Sequence, residues 1–284
     1  MSLQALKRNA DAAAAYRRAV KLQSDYRAAW ENLGVALQDQ DDIDGALDAY
    51  RKAEAIDPRS AIAHLNIGAL LMACGDIEEA RAHFRILLDL MPAYGEAHLK
   101  YAVTSLACGD LAAGWKHYEW RAHAESYVAQ NVSRTVPFPT WDGRALDDGA
   151  LLITAEQGIG DELMFASCFA DAAELVSCLV IECDPRLVSM FSRSFPDATV
   201  LSRKGADSFA WESQQPAIDY KIAAGSLPRL FRSKLDDFPT KTACLSVASE
   251  RQTYWRQKLS DRGPILNIGV SWRGGCDALC GSNA

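Results

Sequence analysis

The sequence has no surplus of positive charge. Its net charge is −7, and it is spread evenly, with −3 over residues 1–121 and −4 over the rest. No basic face stands out, so no nucleic-acid partner is expected. No apolar run approaches the roughly 18 residues of a membrane helix. The first residues also lack the apolar core of a signal peptide. The expectation is a cytoplasmic protein with no membrane span. Histidine is sparse and one-sided: His64, His83, His98, His117 and His123 are all five of them. Cysteine is present eight times, but disulfide frameworks belong to small secreted domains. Most of the eight stand among apolar residues and read as small hydrophobes. Cys276-x-x-x-Cys280 has no second pair and no nearby histidine, so free thiols are expected and no metal. What remains is ordinary: 284 residues, 49% hydrophobic and 24% charged, enough for about two globular domains.

The first half repeats every 34 residues. Trp30, His64 and His98 keep that step, as do Leu33, Ile67 and Tyr101, and Gly34, Gly68 and Ala102. Ala12, Ala46, Ala80 and Gly114 keep it too, with Tyr16, Tyr50, Phe84 and Tyr118, and Pro58 with Pro92. Each position has a physical use. Gly or Ala at 34, 68 and 102 lets the two helices of a repeat approach closely. The aromatic at 50, 84 and 118 fills the space between repeats. Pro58 and Pro92 close the second helix, since proline cannot continue one. Gly75-Asp76 and Gly109-Asp110 make the turns. The pattern resembles the tetratricopeptide repeat (TPR) over about residues 3–125. It predicts a lone helix at 3–24 and helix pairs at 27–60, 61–94 and 95–125.

An uncapped solenoid end exposes apolar surface. The expectation is an array that begins upstream, or self-association through the N-terminal helix with Ala12, Ala15, Tyr16 and Ala19 at the contact. The repeats also offer a groove for a peptide or protein, with Asn32, Asn66 and Lys100 at one repeat position. A side-chain amide donates and accepts, so such a row can hold an extended backbone. The plainer reading, that Asn is simply common at this position, is preferred. His64 and His98 occupy the large-residue position of the repeat and read as packing residues.

Residues 126–150 read as a connector, with turns at Trp141-Asp142-Gly143 and Asp147-Asp148-Gly149. Strands and helices then alternate: strands at Leu151–Ala155, Cys178–Cys183, Thr199–Ser202, Ile218–Ala223 and Leu266–Trp272, and helices at Asp161–Val176, Pro185–Phe195 and Ser249–Ser260. That order implies a parallel sheet covered on both faces and a Rossmann-like half. Ligands of such sheets bind beyond the strands' carboxyl ends, which is where Gln157-Gly158-Ile159-Gly160-Asp161 falls. Asp161 has two readings, helix cap or general base toward a hydroxyl, and both stay open.

EWR (119–121), PTWDGRAL (139–146), LLITAEQGIGDELMFASCF (151–169), IAAGSLPRLFR (222–232), YWRQKL (254–259) and IGVSWRGG (268–275) follow in a fixed order. Together they resemble bacterial TPR glycosyltransferases related to the heptosyltransferase family. The implied fold is a TPR α-solenoid (residues 1–125), a linker (126–150), the Rossmann-like N-terminal half of a GT-B unit (151–265) and the start of a second half (266–284). The implied reaction is sugar transfer from a nucleotide-sugar to a protein or glycan hydroxyl, without a metal or other cofactor. Gly160-Asp161 matches the family's Gly-Asp pair, whose acid serves as base. Glu156, Gln157, Gly158, Gly160, Ser226 and Pro228 would line the acceptor cleft. Ser271, Trp272, Arg273 and Gly274 would be the donor side. With Ala284 nine residues after Gly275, the expectation is that most of the donor half is missing and that this polypeptide alone transfers no sugar. The alternative is a non-catalytic TPR scaffold.

Overall fold

The computed structural model describes residues 3–129, 136–203, 217–240 and 244–260. The repeat region is all helix: α1 (Leu3–Leu22), α2 (Arg27–Gln38), α3 (Ile43–Ile56), α4 (Ala61–Cys74), α5 (Ile77–Leu90), α6 (Gly95–Ala107) and α7 (Leu111–Tyr118). The 34-residue period sets its packing. A β-carbon on Gly34 would lie 2.4 Å from the Tyr50 ring, and one on Gly68 would lie 2.7 Å from Phe84. Both aromatics are fully buried. Close helix approach and bulky filler are therefore one device, encoded twice. The turns obey the period too. Asp41, Gly75 and Gly109 all take positive φ, at 60°, 92° and 81°. Asp42, Ser60 and Asp110 then cap α3, α4 and α7 by accepting from the backbone N–H of Gly45, Ala63 and Ala113.

The N-terminal helix departs from expectation. It precedes the three helix pairs with no pair partner of its own among the described residues, yet its apolar face is partly covered. Ala13 and Val20 are buried, and Ala12, Tyr16 and Ala19 pack on the same core as α2 and α3. Of the four residues expected at a self-association contact, only Ala15 is exposed. α2, in the same chain, covers part of that face, leaving Ala12, Tyr16 and Ala19 half-buried.

After α7 a 3-10 turn (Glu119–His123) and α8 (Glu125–Val128) lead to a sheet. The elements that follow are β1 (Leu146–Thr154), α9 (Ile159–Phe165), α10 (Phe169–Ala173), β2 (Val176–Cys183), α11 (Val188–Ser194), β3 (Thr199–Ser202), β4 (Tyr220–Ala223), α12 (Leu227–Phe231) and α13 (Ser249–Ser260). The four strands are parallel in the order β3-β2-β1-β4. Leu152 pairs with Val180 on one side and Lys221 on the other. The continuous apolar run Leu151-Leu152-Ile153 is wholly buried. Leu151 and Ile153 pack on one face against Phe165, Phe169 and Phe191 of the helices. Leu152 packs on the other against Val136 and Phe138 of the connector, so among the described residues helices cover one face and not both as expected.

Three local expectations shift. β1 starts at Leu146, and the register slips between Leu146 and Ala150, so Asp147-Asp148-Gly149 forms an irregularity within the strand instead of a turn before it. The helix expected from 161 to 176 is broken by a 3-10 turn at Ala166–Cys168, where the Ser167 carbonyl accepts from Arg232 at 2.7 Å. The connector also joins the sheet: Trp141 N–H donates to the Lys221 carbonyl and Lys221 N–H to the Pro139 carbonyl, at 2.8 and 2.9 Å. The strand expected at 266–272 lies outside the described residues.

The two halves share a core. Trp115 and Tyr118 of α7, the last repeat helix, pack against the cluster that holds Trp141, Leu151, Phe165 and Phe169.

Candidate functional site at the carboxyl ends of β1 and β4

From β1 the chain steps outward to β2 and β3, then returns to place β4 on the other side of β1. The reversal opens a crevice at the carboxyl ends of β1 and β4, the place where parallel sheets bind ligands. A cavity of about 340 Å³ lies there. The sheet contributes Thr154, Ala155, Glu156 and Ile222, the repeat end Glu119, Arg121 and Tyr127, and the connector Val136 and Thr140.

Arg121 organises this crevice, and the sequence reading gave it no role. It is 4% exposed. Its Nη2 donates to Glu156 Oε1 at 2.7 Å and to Ser226 Oγ at 2.8 Å. Its Nε donates to both Glu156 oxygens at 3.2 Å. Its Nη1 donates to the Tyr118 carbonyl and to Glu119. Burial opposes its charge, but Glu156 and then Glu119 hold its pKa above the usual arginine value. Glu156 Oε1 also accepts from the Gly225 N–H at 3.1 Å. A β-carbon at Gly225 would come within 2.5 Å of that oxygen, so a larger residue there would push the Glu156 carboxylate aside. Gln157 Nε2 donates to the Tyr118 hydroxyl at 2.8 Å.

The expected cleft residues are thus brought together only in part. Glu156, Gln157 and Ser226 converge, but their polar atoms are engaged by Arg121 and Tyr118 of the repeat end. Glu156 and Ser226 line the cavity; Gln157, Gly158, Gly160, Asp161 and Pro228 do not. Pro228 is buried in the first turn of α12. The only signal for Arg121 was its place in the EWR motif, because its partners lie 35 and 105 residues away.

Asp161 stands on the first turn of α9, whose N-cap is Gly158. Among the described residues its carboxylate accepts no hydrogen bond from a helix N–H and forms no ion pair. It is half-buried, and its charge, after burial, helps raise the Tyr118 phenol pKa. The capping geometry toward Leu163 or Met164 is not realised. Glu162, the neighbouring acid, is 3% exposed, and its Oε2 accepts from the Asp184 N–H at 2.8 Å. Burial pushes its pKa up. Gly158 and Gly160 are exposed, and a β-carbon at Gly160 would meet nothing within 4 Å.

On the repeats, Asn32 is exposed and Asn66 half-buried, and neither makes a side-chain hydrogen bond among the described residues. Lys100 pairs with Glu96 at 3.2 Å. Val35, Ala69 and Val103 lie one turn further along the same helices, with both valines 45% exposed. Ser271, Trp272, Arg273 and Gly274 lie outside the described residues. No described helix is long and apolar enough to cross a membrane.

Comparison with known proteins decides the first half. Residues 1–61 and 37–89 match family descriptions that both read tetratricopeptide repeat. Residues 1–89 carry tetratricopeptide repeats. Over 173 residues the chain is 30% identical to Protein FlbA of Caulobacter vibrioides (strain ATCC 19089 / CIP 103742 / CB 15). That alignment takes in 56% of this chain and 28% of FlbA, so the TPR chain spans little more than a quarter of that relative's length. Among solved structures, MamA is similar at 21% identity and a TM-score of 0.39, over 43% of this chain and 71% of MamA. A tetratricopeptide repeat protein from Parabacteroides merdae ATCC 43184 is similar at 18% identity and a TM-score of 0.38, over 39% and 45% of the two chains. With TM-scores this low, neither structure bears on function.

Proposed function

We propose that this chain is a protein-interaction scaffold whose TPR helices dock an extended peptide. The supporting observation is the row of Asn32, Asn66 and Lys100, reachable from solvent at one repeat position, beside the apolar row of Val35, Ala69 and Val103. Two unengaged amides in register can each pair with a peptide backbone group, and the valines accept alternate apolar side chains. The test selects peptides from a displayed random library on the full chain and measures them by calorimetry against Asn32→Ala/Asn66→Ala. Two lost hydrogen bonds of about 1 kcal/mol each correspond to roughly a 30-fold weaker Kd. Equal affinity of the double variant for every selected peptide would remove the reading.

A second reading is supported by Asp161. The α/β half would be the acceptor side of a sugar transferase, as the motif order suggests, with a nucleotide-sugar as the other substrate and a protein or glycan hydroxyl as acceptor. A carboxylate that, among the described residues, caps nothing and pairs with no cation, at the carboxyl end of β1, can accept a proton from such a hydroxyl. In a protein that joins this half to a donor-binding half, Asp161→Asn is expected to lower transfer by about 10²–10⁴-fold while the thermal midpoint stays near wild type. Unchanged turnover would end the reading.

A further inference from the structure

The 34-residue period places two histidine pairs at equivalent positions. His64 of α4 faces His83 of α5, with Nδ1 to Nδ1 at 3.0 Å. His98 of α6 faces His117 of α7, with Nδ1 to Nδ1 at 2.8 Å. In each pair the first histidine's Nε2 lies 2.9 Å from a proline carbonyl, Pro58 or Pro92. A carbonyl only accepts, so that nitrogen must carry the proton and Nδ1 keeps its lone pair. The fold thus fixes the tautomer that leaves Nδ1 free as a ligand, the usual arrangement behind metal-bound imidazoles.

The pairs differ in one respect. Glu54 of α3 brings its Oε1 to 3.4 Å from His64 Nδ1 and 3.7 Å from His83 Nδ1. Thirty-four residues later Leu88 stands in its place. Around the second pair the Trp120 ring stacks on His98 at 4.0 Å between centroids, filling space with an aromatic and no donor. Among the described residues, only the first pair therefore has a third ligand atom. The three atoms form a triangle with edges of 3.0, 3.4 and 3.7 Å. An ion holding three ligands tetrahedrally at about 2.0–2.1 Å needs edges of roughly 3.3–3.4 Å. The triangle already has this size, so metal entry asks for shifts of a few tenths of an ångström.

We propose that Glu54, His64 and His83 form a tetrahedral site for zinc or a similar first-row divalent ion, with water in the fourth position. The two imidazoles and the carboxylate suit this class of metal. Glu54 is 28% and His83 12% exposed at the side chain, against 2% for His64, so the open position faces out and an ion can enter. The three ligands come from three successive helices, α3, α4 and α5, so a bound ion staples neighbouring repeats. The proposal departs from the sequence expectation of no metal, because no linear motif joins residues 54, 64 and 83.

The test titrates zinc chloride into the metal-free full chain, followed by calorimetry and by thermal midpoint, with the accessible thiols alkylated first. The variants are Glu54→Gln, His83→Gln and His117→Gln, all at positions that are not fully buried. The expected result is one site in wild type that raises the midpoint and is kept in His117→Gln. Glu54→Gln and His83→Gln should bind more than about 100-fold more weakly, beyond the usual effect of an outer-shell partner. Cobalt(II) should give the intense visible bands of a tetrahedral ion in wild type and lose them in both ligand variants. Zinc binding of equal strength in all four proteins, or no binding in wild type, would overturn the proposal.

Discussion

At the scale of single residues, Arg121 carries the most weight. It is a buried cation whose neutralising carboxylate comes from the other half of the chain. Removing one partner of such a pair leaves the other uncompensated. Arg121→Met is expected to cost about 3–5 kcal/mol, the range for a buried pair that loses one partner, measured as a drop in the urea midpoint. A loss under about 0.5 kcal/mol would show that water replaces the guanidinium. His117 supplies a pH prediction. Its pKa is lowered, first by burial, then by His98 and Lys116, with Asp110 opposing. The folded state therefore binds its proton later than the unfolded state on acidification. The unfolded state holds more protons between the ordinary histidine value near 6.5 and the lowered one, so stability falls as pH falls through that window. One such proton contributes at most about 1.4 kcal/mol per pH unit. The plot of thermal midpoint against pH should be flatter there in His117→Gln. An unchanged slope would remove His117 from the account.

At the scale of elements, the repeat is a rule about space. Gly68 lies against Phe84 with no room for a methyl group. Gly68→Ala is expected to destabilise by about 1–3 kcal/mol, the usual cost of overpacking a filled core, read by chemical denaturation. The third repeat has Ala102 instead, and its aromatic, Tyr118, packs against the α/β core and bonds Gln157. The glycine is dispensable where the aromatic has turned to another partner. The turn at Asp41 shows the opposite situation. It takes the left-handed conformation that Gly75 and Gly109 take one and two repeats later, and aspartate tolerates this less well than glycine. Asp41→Gly should raise stability by about 0.5–1 kcal/mol, with relief of the strain only partly offset by the freer unfolded chain. A lower thermal midpoint would contradict that balance.

At the scale of the whole molecule, α7 belongs to two cores at once. It pairs with α6 as the second helix of a repeat, while its Trp115 and Tyr118 enter the core beneath the sheet. The halves should therefore unfold as one unit. Hydrogen exchange is expected to give α6 (Gly95–Ala107) and β1 (Leu146–Thr154) the same free energy of opening in wild type, and different values in Trp115→Ala. Already different values in wild type would show that the shared helix does not couple them.

How much of this was legible in the sequence depends on range. The period fixed α2 to α7, their turns and their glycine–aromatic contacts, because each of these rests on residues within about one repeat of each other. Buried apolar runs and Pro/Gly punctuation likewise located the four described strands and the loop carrying Asp161. Long-range pairing was not legible. Residue spacing cannot show that α2 partly covers Ala12, Tyr16 and Ala19, that Glu156 and Ser226 would be engaged by Arg121, or that Asp161 would be left uncapped. Nor could it show that His64, read as a packing residue, would meet His83 and Glu54. Tertiary structure decided these points because charge neutralisation and ligand geometry act across a few ångströms of space, whatever the number of residues between.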